Sequence, residues 1–357
     1  MRKLQTITQI KSQPSFSKRL VALCFVFILA GCGESKLQQS FDTYTERLAY
    51  TLDFDYELVS PTISPIPQTS LVVQVPALKI NFRQFYQIDN CALNTIIAER
   101  NTTLGKIASA SQRFVYENRL GEAIKACIEA LGNEPGEQAI LNALSDWHNH
   151  KQAHKLHYYA QLISQSKELQ YALWRAPGML SGELGDDAKT AALDLQFLLA
   201  LATQDKHDLN LIEQHLGSIQ KHGFYVRHWR SLAFMQANLA RLTSLMQPKL
   251  AELRCDLQSG KQKMNILRNI FSKYFLSEIQ VTSSQINQYS YQLSEHYQQL
   301  SEVPELPASL RQYLTEQMAL FTAYQEQMTQ HIEMWQTFFA NCGVSGAQLS
   351  EQMRAKK

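Results

Sequence analysis

Residues 286–300 read INQYSYQLSEHYQQL, and residues 314–339 read LTEQMALFTAYQEQMTQHIEMWQTFF. Apolar side chains recur in both segments at steps of three and four residues, which is the period of an amphipathic α-helix. Pro304 and Pro307 lie between the segments, where the chain must leave the helical conformation. The pattern predicts two long antiparallel helices that pack along a heptad-like seam. The stripe residues are Ile286, Tyr289, Leu293, His296, Leu300, Leu314, Phe321, Tyr324, Met328, Trp335 and Phe339.

The composition of the whole chain agrees with a helical fold. The 357 residues include only 14 Gly and 10 Pro, roughly half of the usual share of about 12%. Sandwiches and barrels need many Gly- and Pro-containing turns, so an all-β fold is disfavoured. Hydrophobic residues at 45% with 18% charged residues are sufficient for a buried core. We therefore expect an all-α fold, an elongated bundle of long antiparallel helices over 81–342.

A first amphipathic helix is predicted over 37–54, ahead of the bundle. Four prolines follow within a short span, namely Pro61, Pro65, Pro67 and Pro76. Proline has no backbone N–H and disrupts a helix interior. Residues 57–80, which we call the strap, are therefore predicted to be extended and to lie over the bundle.

Three further helical segments can be assigned within the bundle. One helical face is predicted to contain Leu93, Ile96, Ile97, Leu104 and Ile107. A longer helix is predicted from 136 to 174. Residues 208–253 are predicted to form one or two helices with interruptions around 222–223 and at Pro248.

The N-terminus has the features of a secretory signal peptide. Residues 1–31 contain five basic residues and no acidic residue, and an apolar run extends from Leu20 to Ala30. This run has about 11 residues, whereas a membrane-spanning helix needs about 20. We expect a cleaved signal over 1–31 and a single folded domain over 32–357.

The junction Leu29-Ala30-Gly31-Cys32 resembles the lipobox of bacterial lipoproteins. That resemblance implies cleavage before Cys32 and attachment of lipid to its sulfur and its new amine, and several acyl chains give stable membrane anchorage. Gly33, in place of Asp after the lipidated residue, implies sorting to the outer membrane with the body in the periplasm. The alternative is an ordinary signal peptide followed by an unrelated cysteine.

Charge adds a limit on the kind of partner. The whole chain has a formal charge of +2, and removal of the five bases in residues 1–31 leaves 357 − 31 = 326 residues with a charge of −3. A dedicated nucleic-acid-binding protein is normally strongly basic. We expect no nucleic-acid partner, a membrane contact through the lipid, and an envelope protein as the kind of partner that fits.

Four cysteines remain after the signal and the lipidated position are set aside. An even number in an oxidising compartment favours disulfides over buried free thiols. Cys255 and Cys342 fall at the same end of the predicted antiparallel hairpin, so we pair them, which leaves Cys91 with Cys127. The second pair requires a chain reversal, either near 101–105 or at Gly121.

The segment from Cys91 to Cys127 also carries a family resemblance. Together with the lipobox and the start Phe41-x-x-Tyr44-x-x-Arg47, it resembles the gammaproteobacterial lipoproteins grouped as domain of unknown function 3080. That resemblance implies a Gram-negative source and a lipoprotein over the whole mature chain, and it supplies no activity and no catalytic residue. The matching positions are Cys91-Ala92-Leu93, Ala98-Glu99-Arg100-Asn101, Leu104-Gly105-Lys106, Ser111-Gln112-Arg113, Tyr116-Glu117 and Cys127-Ile128.

One row of histidines has the spacing of a metal site. His150, His154 and His157 lie at i, i+4 and i+7, with Asp146 one turn earlier. Imidazoles with a carboxylate suit Zn²⁺ or Cu²⁺. A single helix face rarely completes a tetrahedral site, so a solvated polar face is the interpretation that we favour.

Two other segments combine charge with aromatic or buried character. Residues 221–230 mix bases and aromatics, which fits either an anionic lipid headgroup or glycan, or a helix junction with its aromatics packed inward. Glu99 and Arg100 form either a buried ion pair or part of a site. We favour the structural interpretation for both segments.

Hydrolase and phosphate-loop motifs are missing from the sequence. We therefore name no catalytic residue and expect an interaction or accessory role at the envelope, more in keeping with a non-enzymatic protein than with an enzyme. A metal- or haem-binding bundle is the alternative from another class. An envelope hydrolase without a recognisable motif is a weaker alternative.

Overall fold

The computed structural model describes residues 35–76, 78, 80, 86, 88, 91–132, 136–181, 187–203 and 208–344. These residues form helices and connecting segments, and no strand occurs among them. The predicted all-α class is confirmed. Among the described helices, none combines the length and the hydrophobicity that crossing a bilayer requires.

Thirteen α-helices are named here in chain order, within the described part of the chain. They are α1 Lys36–Leu52, α2 Leu93–Asn101, α3 Thr103–Lys106, α4 Ala110–Leu131, α5 Gln138–Ala153, α6 Lys155–Gln165, α7 Lys167–Gln170, α8 Asp187–Thr203, α9 Ile212–His222, α10 Phe224–Ala251, α11 Gln258–Ile270, α12 Gln280–Ser301 and α13 Ala308–Asn341. Two π-helical segments, Tyr171–Arg175 and Phe271–Ile279, and two 3₁₀ segments, Gln68–Leu71 and Leu209–Leu211, complete the described elements.

The hairpin predicted from the apolar stripes is present as α12 and α13. The two helices pack against each other, and α13 also makes the most extensive contact in the molecule with α10. Ile286, Leu293 and Trp335 are fully buried in this contact region. The seam therefore forms the main body of the bundle, as its period predicts.

Helix α1 closes one side of this body. Ser35 caps it, because the Ser35 side chain accepts a hydrogen bond from the Gln38 backbone N–H at 3.2 Å. Phe41, Tyr44 and Leu48 recur every three or four residues and are fully buried. The helix predicted over 37–54 is confirmed, with its ends at 36 and 52.

The strap is fixed at its start by one buried amide. Residues 57–67 and 72–76 carry neither helix nor strand, and Gln68–Leu71 forms a 3₁₀ turn between them. Asn238 on α10 accepts a hydrogen bond from the Val59 N–H at 2.9 Å and donates one to the Val59 carbonyl at 2.8 Å. The Asn238 amide thus satisfies both backbone polar groups of Val59 and binds the beginning of the strap to α10.

The prediction that Leu104 and Ile107 share a face with Leu93 is wrong. Thr102 lies in an extended conformation, its hydroxyl accepts from the Gly105 N–H at 3.0 Å, and it ends α2 and starts α3. Leu104 and Ile107 are consequently 76% and 74% exposed. Of the two predicted reversals, the one near 101–105 occurs, whereas Gly121 lies inside α4.

The single helix predicted over 136–174 is also divided. It breaks at His154 and at Ser166, where the Ser166 hydroxyl caps α7 by accepting from the Leu169 N–H. The break predicted around 222–223 is confirmed, since Gly223 adopts a left-handed φ of 51° that favours glycine. Pro248 does not interrupt α10 but lies in its last turn.

Two hydrophobic cores divide the described residues. The first core contains α1, α6 to α13 and the start of α4. The second core is smaller and lies between the rest of α4, α2 and α5, and its buried members are Ile88, Leu93, Leu120, Ile124, Cys127, Leu131, Ile140, Leu144 and Trp147.

Each core has one disulfide in the structure. Cys91 is joined to Cys127 beside the second core, with their Cα atoms 5.5 Å apart. Cys255 is joined to Cys342 at the end of α13, with a Cα separation of 5.3 Å. These are the two pairs that the helix pattern favours.

Candidate functional site

A polar cluster lies where the chain passes from one core to the other. On α4, Phe114 packs in the first core and Leu120 in the second, and Glu117 lies between them. On the neighbouring helices, Trp147 packs in the second core and Tyr158 in the first, with Lys151 between them. Because α4 packs against both α5 and α6, Glu117 and Lys151 come together.

The Lys151 ammonium is hydrogen-bonded to the Glu117 carboxylate, and it also donates to the Tyr158 hydroxyl at 3.0 Å. The side chains of Lys151 and Glu117 are only 8% and 6% exposed. Arg100 approaches the other oxygen of the same carboxylate, with Nη1 and Oε1 3.6 Å apart. A single buried carboxylate is thus shared by two cations.

A third cation, Arg113, stands on the same helix one turn before Glu117. Its half-buried guanidinium makes no hydrogen bond and no ion pair with any residue that the structure describes. Burial and the positive charge of Arg100 lower the pKa of Arg113 below its ordinary value, although Glu117 opposes this effect. Arg100, Arg113, Lys151 and Glu117 together form the cationic cluster, which has an excess of two positive charges.

Two cavities open on either side of the Lys151–Glu117 pair. The large cavity has a volume of about 1000 Å³ and is lined by α4, α5 and α6, with Lys125 and Lys155 at its wall. The strap-side cavity has a volume of about 580 Å³ and contains both Arg100 and Arg113. Both volumes fall in the range of roughly 300–1,000 Å³ that small-molecule sites occupy.

The pair Glu99–Arg100, marked in the sequence as a core ion pair or part of a site, is divided in the structure. Arg100 faces Glu117 at the cationic cluster, whereas Glu99 binds Arg119 on the surface with an N–O distance of 3.4 Å. Arg100 therefore belongs to the candidate site and Glu99 does not. Sequence reasoning missed Arg113, Glu117 and Lys151 as site residues, although Arg113 and Glu117 lie within the segment that carries the family resemblance.

The histidine row is not on one continuous helix, because the helix breaks at His154, its middle member. The rings of His150 and His154 have their centroids 4.3 Å apart, and those of His154 and His157 are 5.3 Å apart. His150 Nε2 contacts the Pro76 carbonyl at 3.1 Å, and His154 Nδ1 contacts the His150 carbonyl at 2.8 Å. Because the carbonyls accept, those two ring nitrogens carry hydrogen and cannot serve as ligands in that state.

No group of three or more His, Cys, Asp or Glu side chains that could hold a metal ion occurs within the described residues. The metal site at His150, His154 and His157 stays a prediction. A thermal shift on addition of Zn²⁺ that disappears in His154→Ala would support it.

The segment of mixed bases and aromatics, 221–230, forms a helix junction. Its aromatic residues Phe224, Tyr225 and Trp229 are buried in the first core. Its arginines do not simply face solvent, because Arg227 donates to the Met179 carbonyl at 3.4 Å and Arg230 donates to carbonyls at 176 and 178. The segment thus holds the turn at 176–179 in place.

A second buried carboxylate, Asp194 on α8, is surrounded by three donors. His215 Nδ1 and the Ser218 hydroxyl donate to it at 2.8 and 2.7 Å, and His222 Nε2 lies at 3.2 Å. Burial raises the pKa of Asp194, but these hydrogen bonds outweigh it and hold the pKa below its ordinary value. Ser218 donates directly to the carboxylate and not to an imidazole, so no base activates it as in a hydrolase triad.

The lipid attachment site Cys32, the cleavage motif Leu29, Ala30 and Gly31, and the sorting residue Gly33 lie outside the described residues. The structure therefore leaves these predictions as they stand. Its described part begins at Ser35, two residues after Gly33.

Comparison with known families gives one match. The model of a family described as a protein of unknown function, DUF3080, matches residues 41–346, which is most of the chain. No curated protein and no protein of solved structure shows significant similarity to the chain.

Proposed function

We propose, from the premise that this chain belongs to the DUF3080 family of proteins of unknown function, that it is a lipid-anchored accessory protein. In this proposal the body faces the periplasm from the outer membrane and binds a component of the envelope. The binding site is the cleft formed by the two cavities and the cationic cluster between them.

Two observations support the location. The sequence Leu29-Ala30-Gly31-Cys32 follows a basic segment and a short apolar run, as in a lipoprotein signal. The disulfides Cys91–Cys127 and Cys255–Cys342 suit an oxidising compartment. Both acyl attachment and disulfide formation would follow export of the chain.

One observation carries the binding role: the guanidinium of Arg113, in the strap-side cavity, makes no hydrogen bond or ion pair with a described residue. Withdrawing a charged group from water without a partner costs free energy, and Arg113 is half-buried. Arg113 has no partner among the described residues, although its helix neighbour Glu117 has two. A group that a bound molecule would satisfy is therefore already in place.

The anchor is tested by metabolic labelling with radioactive palmitate in a Gram-negative host. We expect label in the wild-type protein and none in Cys32→Ser, and sedimentation of the wild type with outer-membrane markers. Gly33→Asp should keep the label and move the protein to the inner-membrane fraction. An unlabelled wild-type protein would contradict the anchor.

The binding role is tested by placing a photo-crosslinking phenylalanine derivative at Gly121, which lines the large cavity and has open space around its Cβ position. Gly217 on α9 is the matched control, since a Cβ there also meets open space and the residue is exposed away from the cleft. Irradiation of intact cells should give adducts from position 121 and not from 217. Absence of adducts from both positions would contradict a binding role for the cleft.

A further inference from the structure

The described lining of the strap-side cavity has a larger excess of positive charge than that of the large cavity. Among its described lining residues, the cations are Arg100, Arg113 and Lys151 and the acidic residue is Glu117. Lys151 already uses the Glu117 carboxylate through a buried hydrogen bond. The Glu117 carboxylate can therefore neutralise neither Arg100 nor Arg113 fully.

The two arginines are suited to the same kind of ligand atom. Arg100 contacts Glu117 only at 3.6 Å, which is too long for a hydrogen bond, and its side chain is 36% exposed. Arg113 has no partner in the described part of the chain. Planar guanidinium groups bind carboxylates and phosphates through two parallel N–H···O bonds. The mutual repulsion that lowers the pKa of Arg113 would be relieved by an anion between the two groups.

The remaining described lining of this cavity is mixed: Asn101, Tyr116, Tyr158 and Gln161 are polar, and six residues are apolar. The apolar residues come from the strap, from α2 and from α4, and they are Val75, Pro76, Leu78, Ile80, Ile97 and Leu120. Water next to these apolar residues is released when an apolar group replaces it, which favours binding. The cavity thus presents cationic, uncharged polar and apolar groups to a ligand.

We propose that the strap-side cavity binds an anionic amphiphile, with its carboxylate or phosphate head between Arg100 and Arg113 and its hydrocarbon portion against the strap, Ile97 and Leu120. This inference rests on the proposed binding role of the cleft and names the class of molecule bound. The head group is the shared feature of a fatty acid and a phosphate monoester of a long-chain alcohol, and the experiment separates these two sources.

The test uses three twelve-carbon photoaffinity probes that each carry a terminal diazirine: laurate, dodecyl phosphate and uncharged dodecyl maltoside. The full chain is labelled in phosphatidylcholine nanodiscs, and adducts are mapped by mass spectrometry. At least one anionic probe should label peptides within 96–101 or 113–120 with saturation, and dodecyl maltoside should not. A preference for laurate or for dodecyl phosphate identifies the head group.

Arg113→Gln should raise the half-saturating concentration of the anionic probe by about 10- to 100-fold, since hydrogen bonds to charged groups contribute about 1.5–3 kcal/mol. Arg47→Gln is the matched control, because it removes the same charge from an exposed position on α1 that lines neither cavity. It should change the half-saturating concentration by less than about threefold, as expected for an exposed charge. Ile97→Ser should weaken labelling through loss of the apolar wall while inorganic phosphate, added as a competitor, keeps its effect.

The inference is overturned if dodecyl maltoside labels these peptides as strongly as the anionic probes do, or if Arg113→Gln and Arg47→Gln weaken labelling equally. Adducts from position 121 in cells, with no saturable labelling by either anionic probe, would reject the ligand class and leave the binding role intact. Absence of both would reject the two proposals together.

Discussion

The Tyr44 hydroxyl on α1 lies 2.8 Å from Nε2 of the fully buried His331 on α13, across 287 positions of sequence. Thr243 fixes the direction of this contact: its hydroxyl donates to the Leu239 carbonyl at 2.7 Å, so it accepts from His331 Nδ1–H at 2.8 Å. Tyr44 must then donate to Nε2, and the Trp335 indole N–H donates to the Tyr44 oxygen at 2.8 Å. While His331 is neutral, every polar side-chain atom in this group has a hydrogen-bond partner; the group consists of Tyr44, Thr243, His331 and Trp335.

The first prediction concerns pH. A protonated His331 cannot accept the hydrogen bond from Tyr44 at Nε2, and its burial separates the charge from water. Burial lowers the pKa of His331 to about 3 and that of buried His228 to about 4. Below the ordinary histidine pKa of 6.5, these two imidazoles bind protons in the unfolded chain but stay neutral in the folded state. The free energy of unfolding should therefore fall as the pH drops from 6.5 toward 4, by about 1.4 kcal/mol per pH unit for each histidine.

Urea unfolding at pH 7 and pH 5 measures this effect, which should amount to about 4 kcal/mol for the two histidines together. His331→Gln should remove about half of the difference between the two pH values. Tyr44→Phe is the control, because it lowers stability at both pH values but keeps the imidazole, and the Trp335 N–H lies 3.2 Å from His331 Nε2 in a position to replace the lost donor. An unchanged pH dependence in His331→Gln would refute the assignment.

The second prediction concerns the Lys151–Glu117 pair at the crossing between the cores. Glu117→Leu leaves the Lys151 ammonium buried without its carboxylate, which should cost about 3–5 kcal/mol of unfolding free energy. The double variant Glu117→Leu/Lys151→Met should recover most of that loss, since an apolar pair of similar size needs no compensation. Chemical denaturation of the two variants measures the difference.

An exposed ion pair provides the comparison. Glu99 and Arg119 are about half exposed, so Glu99→Gln should cost less than about 1 kcal/mol. If Glu117→Leu cost no more than Glu99→Gln, the cationic cluster would be hydrated in solution and the buried pair would have no special role.

The sequence was sufficient for those parts of the fold in which local pattern and tertiary packing agree. The apolar stripes of α12 and α13 and the buried residues of α1 repeat at helical steps, so their faces could be assigned without knowing their neighbours. Leu104 and Ile107 follow the same period but are exposed, because the cap at Thr102 ends the helix between them and Leu93. A capping residue inside an apolar pattern is the signal that the period alone does not contain.

The candidate site could be predicted only in part, for a different reason. Arg100 was marked together with its neighbour Glu99, but its partner in the structure is Glu117 on another helix. Lys151 and Glu117 are 34 positions apart in sequence, and they meet because α4 packs against α5 and α6. A helical period assigns each residue to a face, and it gives no information about where one core ends and the next begins.

The third prediction concerns the second core, which the Cys91–Cys127 disulfide closes. Replacing both cysteines by alanine removes a cross-link that spans 36 positions, worth about 4 kcal/mol in the chain-entropy account. Because this core is small and separate, amides of α2, α5 and the second half of α4 should exchange hydrogen faster, while α10 and α13 keep their protection. Hydrogen exchange followed by mass spectrometry measures both regions.

The disulfide Cys255–Cys342 serves as the matched control for this experiment. Its removal should speed exchange around the start of α11 and the end of α13 and leave the second core unaffected. Equal acceleration in both cores by either double variant would show that the described residues unfold as one cooperative unit.

The last prediction concerns the attachment of the strap through Asn238, which is completely buried. Its amide oxygen accepts from the Tyr56 hydroxyl at 2.6 Å and from the Val59 N–H at 2.9 Å, and its NH₂ group donates to carbonyls at 59 and 234. Asn238→Leu leaves the Val59 backbone groups without partners, at about 1–3 kcal/mol for each buried group, so the strap should detach more often than the helices unfold. Chymotrypsin should then cleave near Tyr56 at least tenfold faster than in the wild type.

Arg241→Gln is the control, because it removes only a guanidinium 5.1 Å above the Tyr56 ring and an exposed hydrogen bond. It should change the cleavage rate by a few-fold at most. Cleavage at the wild-type rate in Asn238→Leu would mean that apolar contacts hold the strap. The Asn238 amide would then stabilise only α10, through its hydrogen bond to the Phe234 carbonyl.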